Sequence, residues 1–446
     1  MEENFPVTSK DDLIKDLMQG CRPVAEFRIG VEHEKFIFDQ ITLKRASYEE
    51  GIRKILYGLQ DFGWRPIFED DVLIALQKGS ASVSLEPAGQ LELSGSPLRS
   101  LHETAKELHD HLKEVKRIIE PLGFIATGLG CDPVSKRDEL PWMPKDRYRI
   151  MRAYMPEKGK HGLDMMTSTC TVQVNLDFSS EQDMVRKFRL GLALQPVATA
   201  LFANSSLSQG QPNGFECFRR FIWAHTDPDR CGLLNFVFEE SMGFERYIDY
   251  MLDVPMYFVY RKGKYIDAAG QSFKDFLRGS LPAYPGHLAT LQDWHDHLTV
   301  AFPEVRLKRY LEMRGADAGS EAHVNALPAF WTGLLYDEQS LNAACDLVSE
   351  WTVEDLQMLY QKVAKEGLAT SLRGQSFQEI ARVCLSLARE GLKRRALKNQ
   401  SAQNESIYLA YAEDIIHSGK TAAQKLLEDY HASGGDMRQV LSSRQF

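Results

Sequence analysis

The sequence lacks the features that mark several classes of protein. No apolar run in its 446 residues approaches the length of a membrane span. The formal net charge of -9 is the opposite of the basic excess that general nucleic-acid binders carry. The opening residues, MEENF, lack the basic and apolar segments of a signal peptide. We therefore expect a cytoplasmic protein with neither a membrane nor a nucleic acid as partner.

Cysteine is scarce, and the familiar cysteine and histidine motifs are missing. The seven cysteines are odd in number and form no CxxC pair, which indicates a reducing compartment without a disulfide framework or a zinc site. The twelve histidines form no HExxH motif. Two pairs, His109 with His111 and His295 with His297, fall in predicted helices, where we expect surface positions. Cys170 is expected to be a core thiol.

Glycine-rich nucleotide motifs are also missing. The tetrapeptide SGKT at 418–421 resembles the end of a P-loop, but Asp414 stands where the first glycine belongs. We expect this tetrapeptide to be a helix end. The segment Gly128-Leu129-Gly130 is too short for a dinucleotide fingerprint.

One stretch, EFRIGVEHEKFIF at 26–38, has the alternation of a β-strand. Phe27, Ile29, Val31 and Ile37 share one face, while Glu32 and Glu34 share the other. Two carboxylates side by side on a strand repel each other, so a cation between them is one explanation. Mg²⁺ prefers such oxygen ligands, which makes this stretch a candidate magnesium half-site. Ordinary surface acids on a half-solvated strand are the alternative, and the stretch alone leaves both open.

Further segments alternate in the same way. They are VSLEPAGQLEL at 83–93, interrupted by a turn at 87–89, CTVQVNLDF at 170–178, a hairpin at 256–267 that turns at Lys262-Gly263, and VRLKRYLEMRGAD at 305–317. Each has one apolar and one polar face, so we predict an α+β fold. An antiparallel sheet would carry a polar face, with helices packed on its apolar face.

Helices are predicted between and after these strands. The apolar spacing indicates helices at 8–19, 47–62, 101–119 behind a capping box at Ser100–Glu103, and 183–203 with a kink at Pro196. From about 328 the chain is expected to be helical, with segments at 338–350, 354–364, 376–394 and 403–430. Residues 131–163, rich in proline, glycine and basic residues, are predicted to be a long loop. That loop is either an anion-binding lid or a solvated charge run.

The polar strand faces together collect acids surrounded by bases. Their members are Glu32, Glu34, Glu92, Gln173, Asn175, Glu312, Arg306, Lys308 and Arg314. Such a set is expected where metal ions hold a nucleoside triphosphate, because the cation bridges phosphates while arginine and lysine neutralise charge.

Four motifs carry a resemblance to a known family. GVEHEKF at 30–36, SLEPAGQLELSGSPL at 84–98, LDMMTSTCTVQVNLDF at 163–178 and VRLKRYLEMRGAD at 305–317 resemble the plant-type glutamate–cysteine ligases. The resemblance extends from about residue 25 to past 330. It implies a glutamine-synthetase-like catalytic fold and the ATP-dependent joining of the γ-carboxyl of L-glutamate to the amine of L-cysteine, through a γ-glutamyl phosphate.

The resemblance also implies roles for individual residues. The implied ligands of Mg²⁺, with Mn²⁺ as an alternative, are Glu32, Glu34, Glu92, Gln173 and Glu312. Gln173 stands where distant bacterial relatives place a histidine. Arg314 is the implied catalytic residue. Implied contacts to substrate or nucleotide are Arg306, Lys308, Arg147, Arg152, Met166, Asn175 and Tyr250.

The sequence departs from the plant pattern in three places. Ala268 and Ala283 stand where one regulatory disulfide would form, and Ala105 and Asn325 stand at the other. A plant arginine is also expected near Ser168. We therefore expect no redox-controlled dimer, but a monomer or a weak homodimer.

Two other functions stay open beside the implied one. An enzyme with the same fold and acyl phosphate could use a different acceptor amine. A binding protein could keep the fold without turnover, although the intact set of carboxylates argues against this. We expect residues 1–330 to form the catalytic core and residues 331–446 a helical region packed on it.

Overall fold

The computed structural model describes residues 5–446, and its centre is a large β-sheet. Within these residues nine strands form one sheet in the order β14-β15-β7-β1-β5-β4-β3-β2, with β6 also paired to β1. Every pairing in this sheet is antiparallel. The predicted α+β fold with an antiparallel sheet is therefore confirmed.

The strands, numbered in chain order, are β1 (Ile29–Asp39), β2 (Arg65–Glu69), β3 (Val72–Lys78), β4 (Ala81–Leu85), β5 (Leu91–Ser94), β6 (Phe124–Thr127), β7 (Thr171–Leu176), β8 (Leu207–Ser208), β9 (Gln211–Pro212), β10 (Cys231–Gly232), β11 (Phe258–Arg261), β12 (Lys264–Asp267), β13 (Phe302–Pro303), β14 (Val305–Leu307), β15 (Leu311–Asp317), β16 (Ser371–Leu372) and β17 (Gln375–Ser376).

The helices are α1 (Lys10–Met18), α2 (Arg53–Gln60), α3 (Leu101–Ile119), α4 (Asp146–Lys158), α5 (Gly162–Ser168), α6 (Glu181–Leu201), α7 (Phe218–Ala224), α8 (Phe244–Asp253), α9 (Phe273–Leu277), α10 (Leu291–Leu298), α11 (Glu321–Leu335), α12 (Glu338–Leu347), α13 (Val353–Glu366), α14 (Phe377–Arg395), α15 (Ala410–Ser418), α16 (Ala422–Ala432) and α17 (Met437–Ser442). None of the helices in the described part of the chain is both long and apolar enough to cross a bilayer.

The two faces of the sheet have different partners. Helices α2, α3, α6 and α11 pack on one face, where Ile29, Val172, Val174 and Leu176 are buried. Strand β1 also sends His33 and Lys35 to this face, and the Lys35 Nζ lies 3.1 Å from the Nε2 of His111 on α3. The sequence alternation predicted the two faces, but not that an amine and two imidazoles would be buried between sheet and helix.

Most predicted helices begin and end close to the expected residues. Capping boxes start α1 at Ser9 and α3 at Ser100, as the sequence indicated for α3. Helix α6 contains Pro196, and the SGKT tetrapeptide is a helix end, since Gly419 ends α15 and Thr421 caps α16. The predicted helix at 403–430 is therefore interrupted, because Gly419 adopts a left-handed conformation there.

Two further predictions need correction, and one hairpin was not predicted. The loop predicted at 131–163 contains α4 and the start of α5, since Tyr148, Met151 and Met155 supply a buried helical stripe and Pro156 lies in the last turn of α4. The segment at 305–317 is the hairpin β14–β15, in which Arg306 pairs with Glu312 and the alternation continues across the turn. The edge hairpin β2–β3 was not predicted, because the exposed side chains of β2 show no alternation.

The helices after residue 331 lie on the core elements. Helix α14 packs on α11 and α6, and α13 packs on α6 and α7. The division into a core at 1–330 and a helical region at 331–446 stays a prediction. His111 and His297 are buried, so their predicted surface position is wrong, whereas Cys170 is a core thiol as expected.

Candidate active site

The register of four neighbouring strands places polar side chains in one row. Glu312 on β15 pairs with Asn175 on β7, and Gln173 on β7 pairs with Glu32 on β1. Across the next boundary, Glu34 on β1 pairs with Glu92 on β5. Because side chains of one parity share a face, these residues all point away from the helical layer. The predicted polar face is thus one continuous surface.

A cavity of about 330 Å³ lies above this row. Its floor is the polar face of the sheet, and its walls come from α4, α5, α7 and the turn between β4 and β5. The wall residues with apolar or aromatic surface are Pro87, Tyr148, Met151, Met165, Met166, Trp223 and Phe302. The cavity is large enough for small molecules and is lined by both charged and apolar groups.

One half of the cavity is acidic. Glu32, Glu34, Glu86 and Glu92 all line it. Burial, together with the charges of Glu312 and Glu92, raises the pKa of Glu32 to about 7. Burial and the neighbouring Glu86 also raise the pKa values of Glu34 and Glu92. The four carboxylates therefore repel one another in a place where water cannot screen them well.

Hydrogen bonds hold the acidic side chains in fixed directions. Asn175 donates from Nδ2 to Glu32 Oε1 at 2.8 Å, and the backbone N–H of Thr171 donates to Glu34 Oε2 at 2.9 Å. The hydroxyls of Ser84 and Ser94 each donate to Glu92 at 3.0 Å. These donors favour the charged carboxylates and oppose part of the burial effect.

The other half is basic and is centred on Glu312. Arg306 donates to both Glu312 oxygens, at 2.6 and 3.0 Å, while Lys308 lies 3.4 Å from Oε1. Arg314 donates from Nη1 to Oε2 at 2.8 Å. Burial by itself would raise the pKa of Glu312, but these three cations outweigh it and hold the pKa well below the usual range.

Arg314 is fixed by further contacts. Its Nη1 also donates to Gln173 Oε1, and its carbonyl accepts a hydrogen bond at 2.9 Å from Nη2 of Arg219 on α7. The Trp223 and Phe302 rings each lie 5.9 Å from the Arg314 guanidinium. The guanidinium is thus held at the cavity wall with little freedom to move.

The structure brings together most of the residues singled out in the sequence. Those lining the cavity are Glu32, Glu34, Glu92, Gln173, Arg306, Arg314, Arg147 and Met166. Asn175 and Glu312 contact lining residues through the hydrogen bonds above, and Lys308 contacts Glu312. Two residues lie elsewhere. Arg152 covers the Trp142 ring at 4.4 Å beside a separate cavity, and Tyr250 packs on Phe236 at 5.2 Å.

Sequence reasoning missed several lining residues. Glu86 lies in the LEPAGQLEL motif, but the turn that follows it broke the alternation that would have marked it. Arg219 and Trp223 lie on the short helix α7, where the sequence shows no signal of a site. Lys145, counted in the predicted loop, lines the cavity, and burial lowers its pKa to about 8.

The acidic half has the donor chemistry of a magnesium site. All four side chains offer hard oxygen donors, and a cation would relieve their repulsion. Within residues 5–446, no three histidine, cysteine, aspartate or glutamate side chains converge to form a closed metal site. Mg²⁺ does not require one, because it commonly keeps waters and binds one or two carboxylates plus phosphate oxygens.

Comparisons with known proteins identify relatives over most of the chain. The model of the family described as glutamate–cysteine ligase family 2 matches residues 28–443. A chloroplastic glutamate–cysteine ligase of Medicago truncatula is 53% identical over 427 residues, covering 96% of this chain and 82% of the relative. Chloroplastic glutamate–cysteine ligase B of Oryza sativa subsp. japonica is 54% identical over 426 residues, covering 95% and 84%.

A solved structure shares the fold at low identity. The crystal structure of a glutamate–cysteine ligase from Francisella tularensis in complex with AMP has a TM-score of 0.54 and 10% sequence identity. The match covers 94% of this chain and 88% of that one. At this identity, the similarity concerns the fold alone.

The expected cytoplasmic location is wrong by this comparison, since the plant relatives are named chloroplastic. Free cysteines indicate only a reducing compartment. Targeting to an organelle depends on signals that receptors recognise, and amino-acid composition does not reveal such signals.

Proposed function

This chain belongs to glutamate–cysteine ligase family 2, and from that premise we propose that it joins the γ-carboxyl of L-glutamate to the amine of L-cysteine using ATP. The observation that carries the proposal is the divided cavity, with four carboxylates on one side and arginines on the other. This division suits a reaction in which a phosphoryl group moves between negatively charged partners.

The reaction proceeds in two steps. A γ-carboxylate oxygen of glutamate attacks the γ-phosphorus of ATP, and the bond from that phosphorus to the bridging oxygen of ADP breaks. The cysteine amine then attacks the activated carbonyl carbon. The carbon–oxygen bond to phosphate breaks, the nitrogen passes its extra proton to the departing phosphate, and γ-glutamylcysteine and inorganic phosphate leave.

The basic half provides charge stabilisation for these steps. Arg306, Arg314 and Arg219 line the cavity and are nearly fully buried, so their charges act in a site with little water. The contacts that fix Arg314 orient its guanidinium before substrate arrives. A pre-oriented cation stabilises charge that develops in the transition state without a cost of reorganisation. We therefore assign Arg314 the catalytic role and Arg306, Lys308 and Arg147 the binding of anionic substrate groups.

The acidic half is the proposed place of Mg²⁺, with Mn²⁺ as an alternative. Glu32, Glu34 and Glu92 would hold it, and Glu86 adds a fourth oxygen donor. When bound, such an ion shields phosphate charge and polarises phosphoryl oxygens. Gln173 and Glu312 belong to the ligand set that the family resemblance implies, but both accept hydrogen bonds from Arg314 in this structure.

The remaining contacts are assigned by position. Met166 and Asn175 lie in or beside the cavity, so they stay candidates for substrate contact. Arg152 and Tyr250 lie outside the cavity. They contact a substrate only if that substrate extends beyond the cavity or if α4 and α8 move. We propose a monomer or a weak homodimer.

One assay tests the function. ADP release is measured with ATP, Mg²⁺ and L-glutamate, and with L-cysteine, L-serine or L-2-aminobutyrate as acceptor, while mass spectrometry identifies the product. We expect glutamate-dependent ADP release with the highest kcat/KM for cysteine, and loss of that activity in Arg219→Met. The matched control is Arg278→Met, whose side chain is 74% exposed. A different preferred acceptor, or no glutamate-dependent release, would contradict the proposal.

A further inference from the structure

The turn between β4 and β5 is connected to helix α5 by one buried side chain. Gln90 is 1% exposed. Its Oε1 accepts a hydrogen bond at 3.0 Å from the N–H of Ala88 within the turn. Its Nε2 donates to the carbonyls of Met166 and Thr169, at 3.2 and 3.1 Å. The amide therefore uses its acceptor on one wall of the cavity and its donors on the other.

Glutamine is well suited to this position. A leucine of similar size would leave one N–H and two carbonyls without their partner, and a buried unsatisfied polar group is costly. A glutamate would keep the acceptor for Ala88, but it would place a charge against the carbonyls of Met166 and Thr169. Only an amide can make all three of these hydrogen bonds while staying neutral.

Other contacts fix the turn from different directions. The Met143 N–H donates to the Pro87 carbonyl at 2.8 Å. Arg45 donates from Nη2 to the Ala88 carbonyl at 2.9 Å, and its Nη1 pairs with buried Asp132 at 3.3 Å. These contacts tie the turn to Arg45 and to the segment at 132–143. Of the contacts just described, only those of Gln90 connect the turn to α5.

The two walls carry different parts of the site. Glu86 begins the turn, lines the cavity and raises the pKa values of Glu34 and Glu92 through its charge. Met165 and Met166 on α5 supply apolar lining to the same cavity. The side chain of Gln90 therefore connects the segment that carries Glu86 to the helix that carries the two methionines.

We infer that Gln90 is a positioning residue of the ligase reaction, which holds the Glu86 carboxylate at a fixed place relative to the methionine wall of α5. The inference rests on the proposed function. Gln90 lines the cavity, but all three of its side-chain hydrogen bonds are to the backbone, so we assign it a positioning role.

The test is a double-mutant cycle between Gln90→Leu and Glu86→Gln, measured as cysteine-dependent ADP release with each substrate varied in turn. If Gln90 acts by placing Glu86, Gln90→Leu should lower kcat about tenfold in the natural background and less than about twofold when Glu86 is already changed. A role in general stability would give the same factor in both backgrounds, and that result would overturn the inference.

The matched control is Gln378→Leu. Gln378 also donates from its side chain to a backbone carbonyl, that of Ile416 at 3.0 Å, but in the C-terminal helices. It should leave kcat unchanged and show no coupling to Glu86→Gln. Thermal unfolding of every variant verifies that it is folded at the assay temperature.

A second variant is used if Gln90→Leu does not fold. Gln90→Met keeps the length of the side chain without adding a charge beside Glu86, and it then replaces Gln90→Leu in the same cycle. If neither variant folds, Gln90 is a structural residue and the inference is overturned. Inactivity of the unaltered enzyme with glutamate and cysteine would instead contradict the proposed function, so the two failures are distinguishable.

Discussion

Arg306 and Glu312 face each other across the β14–β15 hairpin, and the guanidinium holds both carboxylate oxygens, at 2.6 and 3.0 Å. Lys308 and Arg314 contact the same carboxylate. Glu312 is thus the centre of a cation cluster, whereas Glu32 lies among other acids. Two glutamates on one sheet face therefore have opposite electrostatic environments.

The first prediction compares these two glutamates. Glu32→Gln removes a repelling charge, so without metal the variant should unfold at an equal or higher temperature. Glu312→Gln leaves three buried cations without their anion and should lose about 3–5 kcal/mol of stability. Both should abolish ADP formation if the proposed Mg²⁺-dependent reaction is correct. Calorimetry in the presence of a chelator measures the unfolding temperature of both variants. The ADP assay measures their turnover. Full turnover by Glu32→Gln would contradict the magnesium assignment.

The second prediction concerns the catalytic role of Arg314. A lysine keeps the charge, but it lacks the planar guanidinium that places Nη1 between Glu312 and Gln173. Arg314→Lys should lower turnover about a hundredfold, equivalent to roughly 3 kcal/mol, with smaller effects on the KM values. Steady-state kinetics with glutamate, ATP and cysteine varied in turn measure kcat and the three KM values. Near-normal turnover with a strongly raised KM for ATP would mean that Arg314 binds nucleotide.

The third prediction concerns stability against pH. His297 is buried, stacks on the Phe273 ring at 4.4 Å and donates to the Met251 carbonyl, and burial lowers its pKa from 6.5 to about 4. The unfolded chain binds the proton more readily than the folded one between these values. Stability is therefore complete above pH 6.5 and falls as the pH drops toward 4, by about 3 kcal/mol for this group.

Urea unfolding from pH 4.5 to 7.5 measures this slope. His297→Gln should be less stable at pH 7 but less sensitive to acid. The exposed His417, changed to glutamine, is the matched control. Equal slopes in His297→Gln and the unaltered protein would mean that His297 is not the group responsible.

The fourth prediction concerns redox state. The cysteines in residues 5–446 are free thiols, and burial raises the pKa values of Cys131, Cys170, Cys217 and Cys384. Few thiolates are available for disulfide exchange. Reductant should change neither the activity, beyond keeping substrate cysteine reduced, nor the elution volume on a sizing column. A reductant-dependent change of oligomeric state would show that the alanines at 105, 268 and 283 do not remove redox control.

The sequence predicted the floor of the site better than its walls. Strand alternation has a period of two, so Glu32, Glu34, Gln173 and Glu312 could be assigned to one face before the pairing of strands was known. The hairpin turn at 308–310 keeps this alternation, so that Arg306 and Glu312 still share a face. The order of strands, and hence the separation of acidic and basic halves, depends on non-local pairing that a single sequence does not reveal.

The walls come from segments without periodic signals. Arg219 lies on a seven-residue helix, and Glu86 lies at a turn, so neither had a pattern to identify its direction. Arg147 was assigned from the family resemblance and from a basic segment predicted as loop, although the segment is largely helical. His111 and Lys35 were missed because burial of an amine beside an imidazole contradicts the usual surface preference of both.

Strand β1 carries ionisable groups on both faces, with Glu32 and Glu34 toward the cavity and His33 and Lys35 toward α3. In most strands a slip of one residue is rejected because it turns apolar side chains into water. In β1 the same slip would exchange two carboxylates for an imidazole and an amine, and the amine would be attracted to Glu92. The register of β1 is therefore set by its pairing with β5 and β7, because the alternation of its own side chains does not select one face.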